Sequence, residues 1–203
     1  MGNYNPALWR SLLVGAVGSI LLACVSSHGS SEAEMLDPLE SWVPVHSNSF
    51  EVYLPGMPSV MEYAGADKET LESMKVRTFT VQQGSGAFMI AEVDLSASMI
   101  QSAQDMDILK KMAFFDSSLQ HNVKRMAGTI KQTRLITFRG FDAQLATIEV
   151  QDHRFESIMF IGNNHHYQLQ FLAKVVDWDS KDVAESRKQF FNTFKLLKRK
   201  EPS

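Results

Sequence analysis

The chain has 203 residues, of which 44% are hydrophobic, with 20 Lys and Arg against 23 Asp and Glu and a formal net charge of −3. Apart from the cluster KLLKRK at 195–200, the basic residues are dispersed, and they form no basic face with interleaved aromatic residues, so nucleic acid is not expected as a partner. A single cysteine, Cys24, excludes an internal disulfide and, elsewhere in the chain, thiol catalysis.

A short apolar segment follows Arg10, the one charged side chain among the first ten residues. The segment is SLLVGAVGSILLA, and its 13 residues are fewer than the roughly 20 that a helix needs to cross a bilayer. They match the apolar region of an export signal, which has about 7–15 residues after a positive start. We therefore predict that residues 1–23 are a signal peptide.

The residues before the cysteine resemble the lipobox of bacterial lipoproteins. Leu21, Leu22, Ala23 and Cys24 supply an aliphatic residue, a tolerant position, a small residue and the cysteine. The resemblance implies cleavage between Ala23 and Cys24 and lipidation of Cys24, and two or more acyl chains anchor a protein stably to a membrane. It also implies an extracytoplasmic location, on the periplasmic side of the outer membrane in a Gram-negative source, because Val25 replaces the Asp typical of inner-membrane retention. Two alternatives stay open: an unmodified, buried Cys24 and an uncleaved signal anchor.

In the segment after the cysteine, apolar residues do not recur at the spacing of a strand or a helix. Residues 24–47 mix Ser, Gly, Pro and acidic residues with scattered apolar ones, which predicts a lipid-anchored flexible tether. Trp42 and Val45 are the residues of this segment that we expect to begin docking on the domain. Residues 48–199 are long enough for one domain with its own core, and residues 200–203 form a tail.

The first half of the domain is predicted to contain strands and one helix. Phe50, Val52 and Leu54 alternate along one strand, which ends at the turn-forming pair at 55–56. Strands at 72–82 and 87–95 flank a Gly-Ser-Gly turn, and the second is apolar on both sides, as expected of a central strand. A helix over 103–123, with Ser102 as N-cap, is predicted from apolar residues at helical spacing: Ile108, Leu109, Met112, Phe115, Leu119 and Val123.

Two hairpins and a helix follow. Strands at 128–138 and 141–152 meet at Arg139-Gly140, and strands at 153–162 and 165–175 meet at Asn163-Asn164, a pair that tolerates the positive φ angles of a two-residue turn. Pairing about the second turn places Phe160 opposite Tyr167 and Ile158 opposite Leu169, which gives one apolar face. A last helix, opened by Asp179 or Ser180, carries an apolar stripe: Val183, Phe190, Phe191, Phe194 and Leu197.

The order of these elements predicts an α+β fold with a mainly antiparallel sheet of about six or seven strands packed with helices. The stretch FEVYLPGMP resembles the opening of PsbP-like and Mog-like domains, and NNHHYQLQF and FFNTFKLL resemble their last strand and terminal helix. The resemblance covers residues 48–199 and implies a sheet sandwiched by helices. It also implies action by binding, although no residue here matches a specific binding motif of that family.

The histidines do not form a predicted metal site. His165 and His166 are adjacent on a strand and point to opposite faces. His153 is nine residues from the level of His165 along the predicted hairpin, or roughly 30 Å. The run DWDSKD at 177–182 begins like a calcium-binding EF-hand loop, but Lys181 and Asp182 stand where an oxygen ligand and a glycine are needed.

Catalytic groups are not predicted either. Ser85 lies between glycines but not in the strand–turn–helix context of a nucleophile. Asp94, Glu149 and Glu156 lie on strands with no predicted partner, so acid–base chemistry does not follow. Glu156, opposite Phe171 on the apolar side of the hairpin, is expected either at a sheet edge or partly buried with a raised pKa. We therefore predict no catalytic, cofactor-binding or metal-binding residue.

These observations favour a non-enzymatic binding or assembly module, held by its N-terminal lipid on the extracytoplasmic face of a bacterial membrane, with a protein partner of unknown identity. The alternative is a carrier of a hydrophobic ligand such as a lipid, because 11 Met and 13 Phe could line an adaptable apolar pocket. An enzyme is the third possibility. In-cell cross-linking and native mass spectrometry would separate these three classes.

Overall fold

The computed structural model describes residues 42–66, 73–84 and 86–197. The predicted signal peptide, Ala23, Cys24, most of the predicted tether, Ser85 and the tail at 200–203 lie outside these residues. The described residues form ten strands and three α-helices. In chain order they are β1 (Val43–His46), β2 (Phe50–Leu54), β3 (Ser59–Ala66), β4 (Ser73–Gln83), β5 (Gly86–Asp94), α1 (Ala97–Asp105), α2 (Ile108–Arg125), β6 (Thr129–Phe138), β7 (Phe141–Val150), β8 (His153–Gly162), β9 (His165–Lys174), α3 (Lys181–Thr193) and β10 (Lys195–Leu196).

The strands form two antiparallel sheets. The larger sheet has seven strands in the order β3-β4-β5-β9-β8-β7-β6, and the smaller has three in the order β1-β2-β10. The α+β class, predicted from the order of elements, is therefore confirmed. The pairing of β5 with β9 is the connection that joins the two halves of the large sheet, and it brings together residues that are far apart in the chain.

Each face of the large sheet is covered by a different layer. Along β5, Met89 and Ala91 belong to the core that α1 and α2 cover, whereas Phe88 and Ile90 belong to the core under α3 and the small sheet. Alternation of side chains along a strand explains this division. β5 is thus covered on both faces, as its apolar sequence predicts.

The β8–β9 hairpin has the predicted register. Phe160 pairs with Tyr167 and Ile158 with Leu169, and both residues of the connecting turn adopt positive φ angles, 50° at Asn163 and 67° at Asn164. The predicted turn at Arg139-Gly140 also has positive φ at both residues. Local turn chemistry and one apolar face were sufficient to define both hairpins.

The single helix predicted over 103–123 is wrong, because two helices cover this region. Ser96 caps α1 by accepting a hydrogen bond from the Met99 amide, and Asp107 caps α2 through the Lys110 amide. Ser102, predicted as an N-cap, lies inside α1. Leu109, assigned to the apolar stripe, is 77% exposed, whereas Phe115, Leu119 and Val123 of the same stripe are buried.

The C-terminal helix agrees with the prediction at its start but not at its end. Ser180 occupies the N-cap position of α3, although its side chain makes no capping hydrogen bond. The helix ends at Thr193, and Lys195–Leu196 then pair with Glu51 and Phe50 of β2. Leu197 is therefore not part of the helical stripe.

Three strands were not predicted. β1 pairs with β2, Val45 is buried, and Trp42 packs edge-on against Phe88, so the folded part includes residues assigned to the tether and begins before residue 48. β3 has no alternation of apolar and polar residues, and β10 has only two residues. In the described part of the chain, no helix has the length and apolar character needed to span a bilayer.

Candidate functional site

A cluster of charged side chains lies on the α3 side of the large sheet, at the end near the β8–β9 turn. Arg77 comes from β4, Glu92 and Asp94 from β5, and His165 from β9. In the register Arg77 is opposite Glu92 and Asp94 is opposite His165. Residues two apart on β5 share a face, so the pairing of three strands places all four side chains together. We call these four residues the charged cluster.

The arginine of the charged cluster contacts both carboxylates. Its Nη2 atom lies 3.0 Å from Oε2 of Glu92 and 3.5 Å from Oδ1 of Asp94. The Glu92 side chain is fully buried, whereas the Asp94 side chain is 40% exposed. A buried carboxylate is costly unless it is paired and hydrogen-bonded, and Arg77 supplies the opposite charge. The cluster opens to solvent at Asp94.

The histidine bridges the cluster and the adjacent turn. Nε2 of His165 lies 3.1 Å from Oδ1 of Asp94 and 3.7 Å from Oε1 of Glu92. Its other ring nitrogen, Nδ1, lies 2.7 Å from the backbone carbonyl oxygen of Asn163. The ring orientation is therefore determined by the turn on one side and by the carboxylates on the other.

Two hydroxyl side chains border the cluster. The Ser49 hydroxyl, in the turn before β2, donates a hydrogen bond to Oε1 of Glu92. Tyr167 is opposite Glu92 in the register and is fully buried, and burial raises the pKa of its phenol. Tyr167 thus remains neutral, and the Ser49 hydroxyl is a donor to a carboxylate that also contacts Arg77.

The cluster has the donor atoms for a cation. One ligand atom each from Glu92, Asp94 and His165 lies within 4.8 Å of the other two. With two carboxylates, one guanidinium and a neutral imidazole, the four side chains carry a net charge of −1. The arrangement can act either as an internal ion-pair network or as a site for a metal ion in which Arg77 compensates one carboxylate.

The histidines singled out from the sequence lie apart, as predicted. His166 is buried on the opposite face, where its ring packs against Phe114 and Phe115. His153 pairs with Lys174 at the far end of β9 and contacts Asp152 instead. The metal ligands considered from the sequence do not meet, and only His165 belongs to the charged cluster.

The other carboxylates considered from the sequence lie in separate surroundings. Glu149 is bound by Lys131 and Arg154, at 2.8 Å and 2.7 Å, and these hydrogen bonds lower its pKa. Glu156 is opposite Phe171, as predicted, and β8 is an internal strand. Burial raises the pKa of Glu156, against the attraction of Arg187 and Arg134. The partly buried alternative for Glu156, not the sheet edge, is therefore correct.

The sequence reasoning missed Arg77 and Glu92 and left Asp94 without a partner. One signal was present, because Glu92 interrupts an apolar strand predicted to be covered on both faces. A carboxylate at such a position requires an opposite charge or a hydrogen-bond donor. The identity of the partners depends on β4–β5 and β5–β9 pairing, and the latter pairing does not follow from local sequence.

Comparison with protein-family models gives no match, and comparison with curated proteins gives none. Among solved structures, the chain is similar to cyanobacterial PsbP from Synechocystis sp., with 10% identity and a TM-score of 0.47 over 84% of this chain and 99% of that chain. It is also similar to a protein of unknown function from Pseudomonas aeruginosa, with 13% identity and a TM-score of 0.40 over 66% of this chain and 94% of that chain. At these identities and TM-scores neither likeness bears on function.

Proposed function

We infer that the chain is a lipid-anchored module on the extracytoplasmic face of a bacterial membrane, that it binds a partner protein and that it catalyses no reaction. The observation that carries the binding role is the exposed edge of the large sheet at β3. Within the described residues β3 pairs with β4 alone. Its outer side therefore offers unpaired backbone groups, which are a template for a strand from another chain.

The side chains around this edge are suited to a protein contact. Val60 is 53% exposed and Met61 is 45% exposed, on opposite faces of β3, and Met57 in the preceding turn is 81% exposed. Apolar side chains beside an open edge provide the alternating pockets that an added strand uses for specificity. The expected partner is an extended segment with apolar side chains on both faces.

The opposite edge of the sheet differs. β6 is also exposed, but it carries Lys131 and Arg134, and its register with β7 shifts between Ile130 and Gln132. Charged residues and bulges on an edge strand prevent pairing with other chains. β3 carries one charged residue, Glu62, and its register with β4 has no shift, so the bulge and the greater number of charges on β6 favour β3 as the contact.

The charged cluster supports binding over catalysis. Ser49 donates to Glu92, and Arg77 contacts both carboxylates, so these side chains are engaged in contacts with one another. Acid–base catalysis usually employs a group whose pKa is tuned towards the working pH. Both carboxylates instead lie in ion-pair contact with Arg77.

Site-specific photo-cross-linking in cells tests the contact at β3. A photoreactive residue at position 61 should capture a discrete protein, while the same residue at position 135 on β6 should capture none. The two positions are matched, since Met61 is 45% and Leu135 is 48% exposed. Adding Val60→Lys should abolish the capture at position 61. Equal capture at both positions, or capture that survives Val60→Lys, would contradict strand addition at β3.

The membrane anchor needs a separate test, because Cys24 lies outside the described residues. The 13-residue apolar run and the lipobox at residues 21–24 support it. Wild-type chain should incorporate labelled palmitate and lose residues 1–23, and Cys24→Ser should fold without taking up lipid. A wild-type intact mass that still includes residues 1–23, or an unmodified Cys24, would overturn the anchor without affecting the test at β3.

A hydrophobic-ligand carrier is the second candidate, and one cleft supports it. Between α1 and the β8–β9 turn, apolar side chains of Leu95, Ile100, Phe141 and Ile161 line a cleft that also contacts Lys111. An acyl chain with an anionic head group would match this lining. Native mass spectrometry of the purified chain should then show a co-purifying lipid, and a protein free of non-covalent lipid would rule out this role.

A further inference from the structure

His165 has a hydrogen-bonding arrangement that a neutral, isolated imidazole does not satisfy. Its Nδ1 atom is 2.7 Å from the carbonyl oxygen of Asn163. A carbonyl oxygen only accepts hydrogen bonds, so Nδ1 carries the hydrogen and donates it. In a neutral ring the other nitrogen, Nε2, is then unprotonated and has its lone pair directed outwards.

That lone pair points at acceptors. Nε2 lies 3.1 Å from Oδ1 of Asp94 and 3.7 Å from Oε1 of Glu92, and carboxylate oxygens have no hydrogen to offer. Oε1 of Glu92 accepts a hydrogen bond from Ser49, and Oδ1 of Asp94 contacts Arg77, but a neutral ring with its hydrogen on Nδ1 donates to neither oxygen from Nε2. A metal ion between Nε2 and the two oxygens would make this close approach of three electron-pair donors attractive.

We propose that a divalent transition-metal ion binds here, coordinated by Oε1 of Glu92, Oδ1 of Asp94 and Nε2 of His165. The three residues form a group that could hold a metal ion, and Nε2 lies 3.1 Å from Oδ1 and 3.7 Å from Oε1, below the about 4.4 Å that two bonds of about 2.0–2.2 Å to one ion can span. Histidines that bind metals characteristically donate their other ring hydrogen to a backbone carbonyl or carboxylate, as Nδ1 of His165 does.

Glu92 is a buried carboxylate whose two oxygens face different partners. The residue is fully buried, and Oε2 receives no hydrogen bond from the described residues, its 3.0 Å contact with Arg77 being an ion pair only. Arg77 approaches Oε2 of Glu92, whereas Oε1 faces His165. The guanidinium can therefore keep its contact while Oε1 turns to the metal, with the Ser49 hydroxyl moving from Oε1.

Charge and donor type restrict which ion fits. Arg77 compensates one of the two carboxylates, which lowers the affinity for any cation, so nitrogen ligation by His165 must contribute much of the binding. Imidazole suits zinc and other late transition ions, whereas calcium requires 6–8 oxygen ligands. The site should therefore prefer Zn²⁺ to Ca²⁺. Asp94, the most exposed of the three ligands, gives the ion access from solvent.

The test uses the full chain in mild detergent, freed of metal with a chelator and titrated with ZnCl₂ by calorimetry. Wild-type protein should bind one Zn²⁺ per chain and should not respond to CaCl₂ at the same concentrations. His165→Gln and Asp94→Asn should each weaken binding by about ten-fold or more. His46→Gln is the matched control, because it removes a histidine that pairs with Glu51 at an exposed position and should leave the affinity unchanged.

Long-range proton–nitrogen NMR of the His165 ring gives a readout that does not depend on the variants folding. Zn²⁺ should shift the Nε2 resonance to that of a metal-bound nitrogen and leave the hydrogen on Nδ1. Lack of saturable Zn²⁺ binding by the wild type would overturn the proposal, as would equal binding by folded His165→Gln. A proton that stays on Nε2 at saturating Zn²⁺ would identify the cluster as an ion-pair network and also overturn it. None of these outcomes depends on the partner contact at β3.

Discussion

Arg77 and Glu92 face each other across β4 and β5, with Nη2 of the guanidinium 3.0 Å from Oε2 of a fully buried carboxylate. Removing one member of such a pair leaves an uncompensated charge in the interior, which costs about 3–5 kcal/mol. We expect Arg77→Met to lower the free energy of unfolding by about 3 kcal/mol. Arg77→Met combined with Glu92→Gln should recover part of this loss, because the second change removes the unpaired charge. Urea denaturation of the wild type, Arg77→Met, Glu92→Gln and the double variant measures the interaction energy between the two side chains.

An exposed ion pair between β3 and β4 provides the control. Lys75 lies 2.8 Å from Glu62, and both side chains are about half exposed, 46% and 51%. Exposed ion pairs contribute only about 0.2–1 kcal/mol, so Lys75→Met should have a small effect. Equal losses of unfolding free energy in Arg77→Met and Lys75→Met would show that burial of Glu92 does not increase the contribution of its partner to stability.

His166 should make the protein sensitive to acid. It is fully buried against Phe114 and Phe115, and burial lowers its pKa from 6.5 to about 4. A histidine with a lowered pKa stabilises the fold fully above its unfolded-state value, and this contribution is lost as the pH falls towards the folded-state value. Between pH 6.5 and pH 4 the loss attributable to His166 should reach about 3 kcal/mol.

Chemical denaturation at several pH values measures this dependence. His166→Gln removes the titrating group, so the difference in unfolding free energy between wild type and variant should change over this pH interval. His121→Gln is the control, since His121 is an exposed residue of α2. A pH dependence of wild type that His166→Gln leaves unaltered would assign the acid sensitivity to other groups.

The parts of the fold that the sequence predicted depend on local chemistry. The β8–β9 register follows from Asn163-Asn164 and from the apolar side chains that must share one face, and both are visible within about 20 consecutive residues. The prediction of one helix over 103–123 was wrong because its local apolar pattern was misleading. Its apolar spacing is continuous enough to suggest one helix, but the capping interaction of Asp107 with the Lys110 amide starts a new helix inside it.

The charged cluster could not be predicted from the sequence because it depends on which strands are neighbours in the sheet. Asp94 and His165 are neighbours only because β9 inserts next to β5, and no local pattern specifies that insertion. β3 was missed for a related reason. Its side chains are largely exposed on both faces. Such an edge strand does not require alternating apolar and polar residues, which is the pattern that predicts a strand. The residues with the clearest functional potential are therefore those whose neighbours come from distant segments.

Glu156 predicts a pH dependence of opposite sign to that of His166. Burial raises the pKa of its carboxyl above the ordinary 4.5, so ionisation costs more in the folded than in the unfolded state. Glu156→Gln should therefore stabilise the protein at pH 7, and the gain should vanish as the pH falls below 4.5, where both states hold the proton. Glu185→Gln on α3, which removes an exposed carboxylate, should show no comparable gain. A Glu156→Gln variant that is less stable than wild type at pH 7 would mean that Arg187 contributes more than burial costs.

Two consecutive residues after α2 should respond oppositely to exchange of alanine and glycine. Ala127 has a φ of 52°, a left-handed conformation that costs a residue with a β-carbon about 1 kcal/mol relative to glycine. Ala127→Gly should therefore raise the unfolding free energy by up to about 1 kcal/mol. At Gly128 an added β-carbon would lie 2.7 Å from Cγ2 of Val150 and 3.0 Å from the carbonyl oxygen of Glu149, so Gly128→Ala should lower it by about 1–3 kcal/mol. Thermal unfolding of the two variants measures both effects. A melting temperature that shifts in the same direction in both variants would contradict backbone strain at Ala127 and steric overlap at Gly128 as their separate causes.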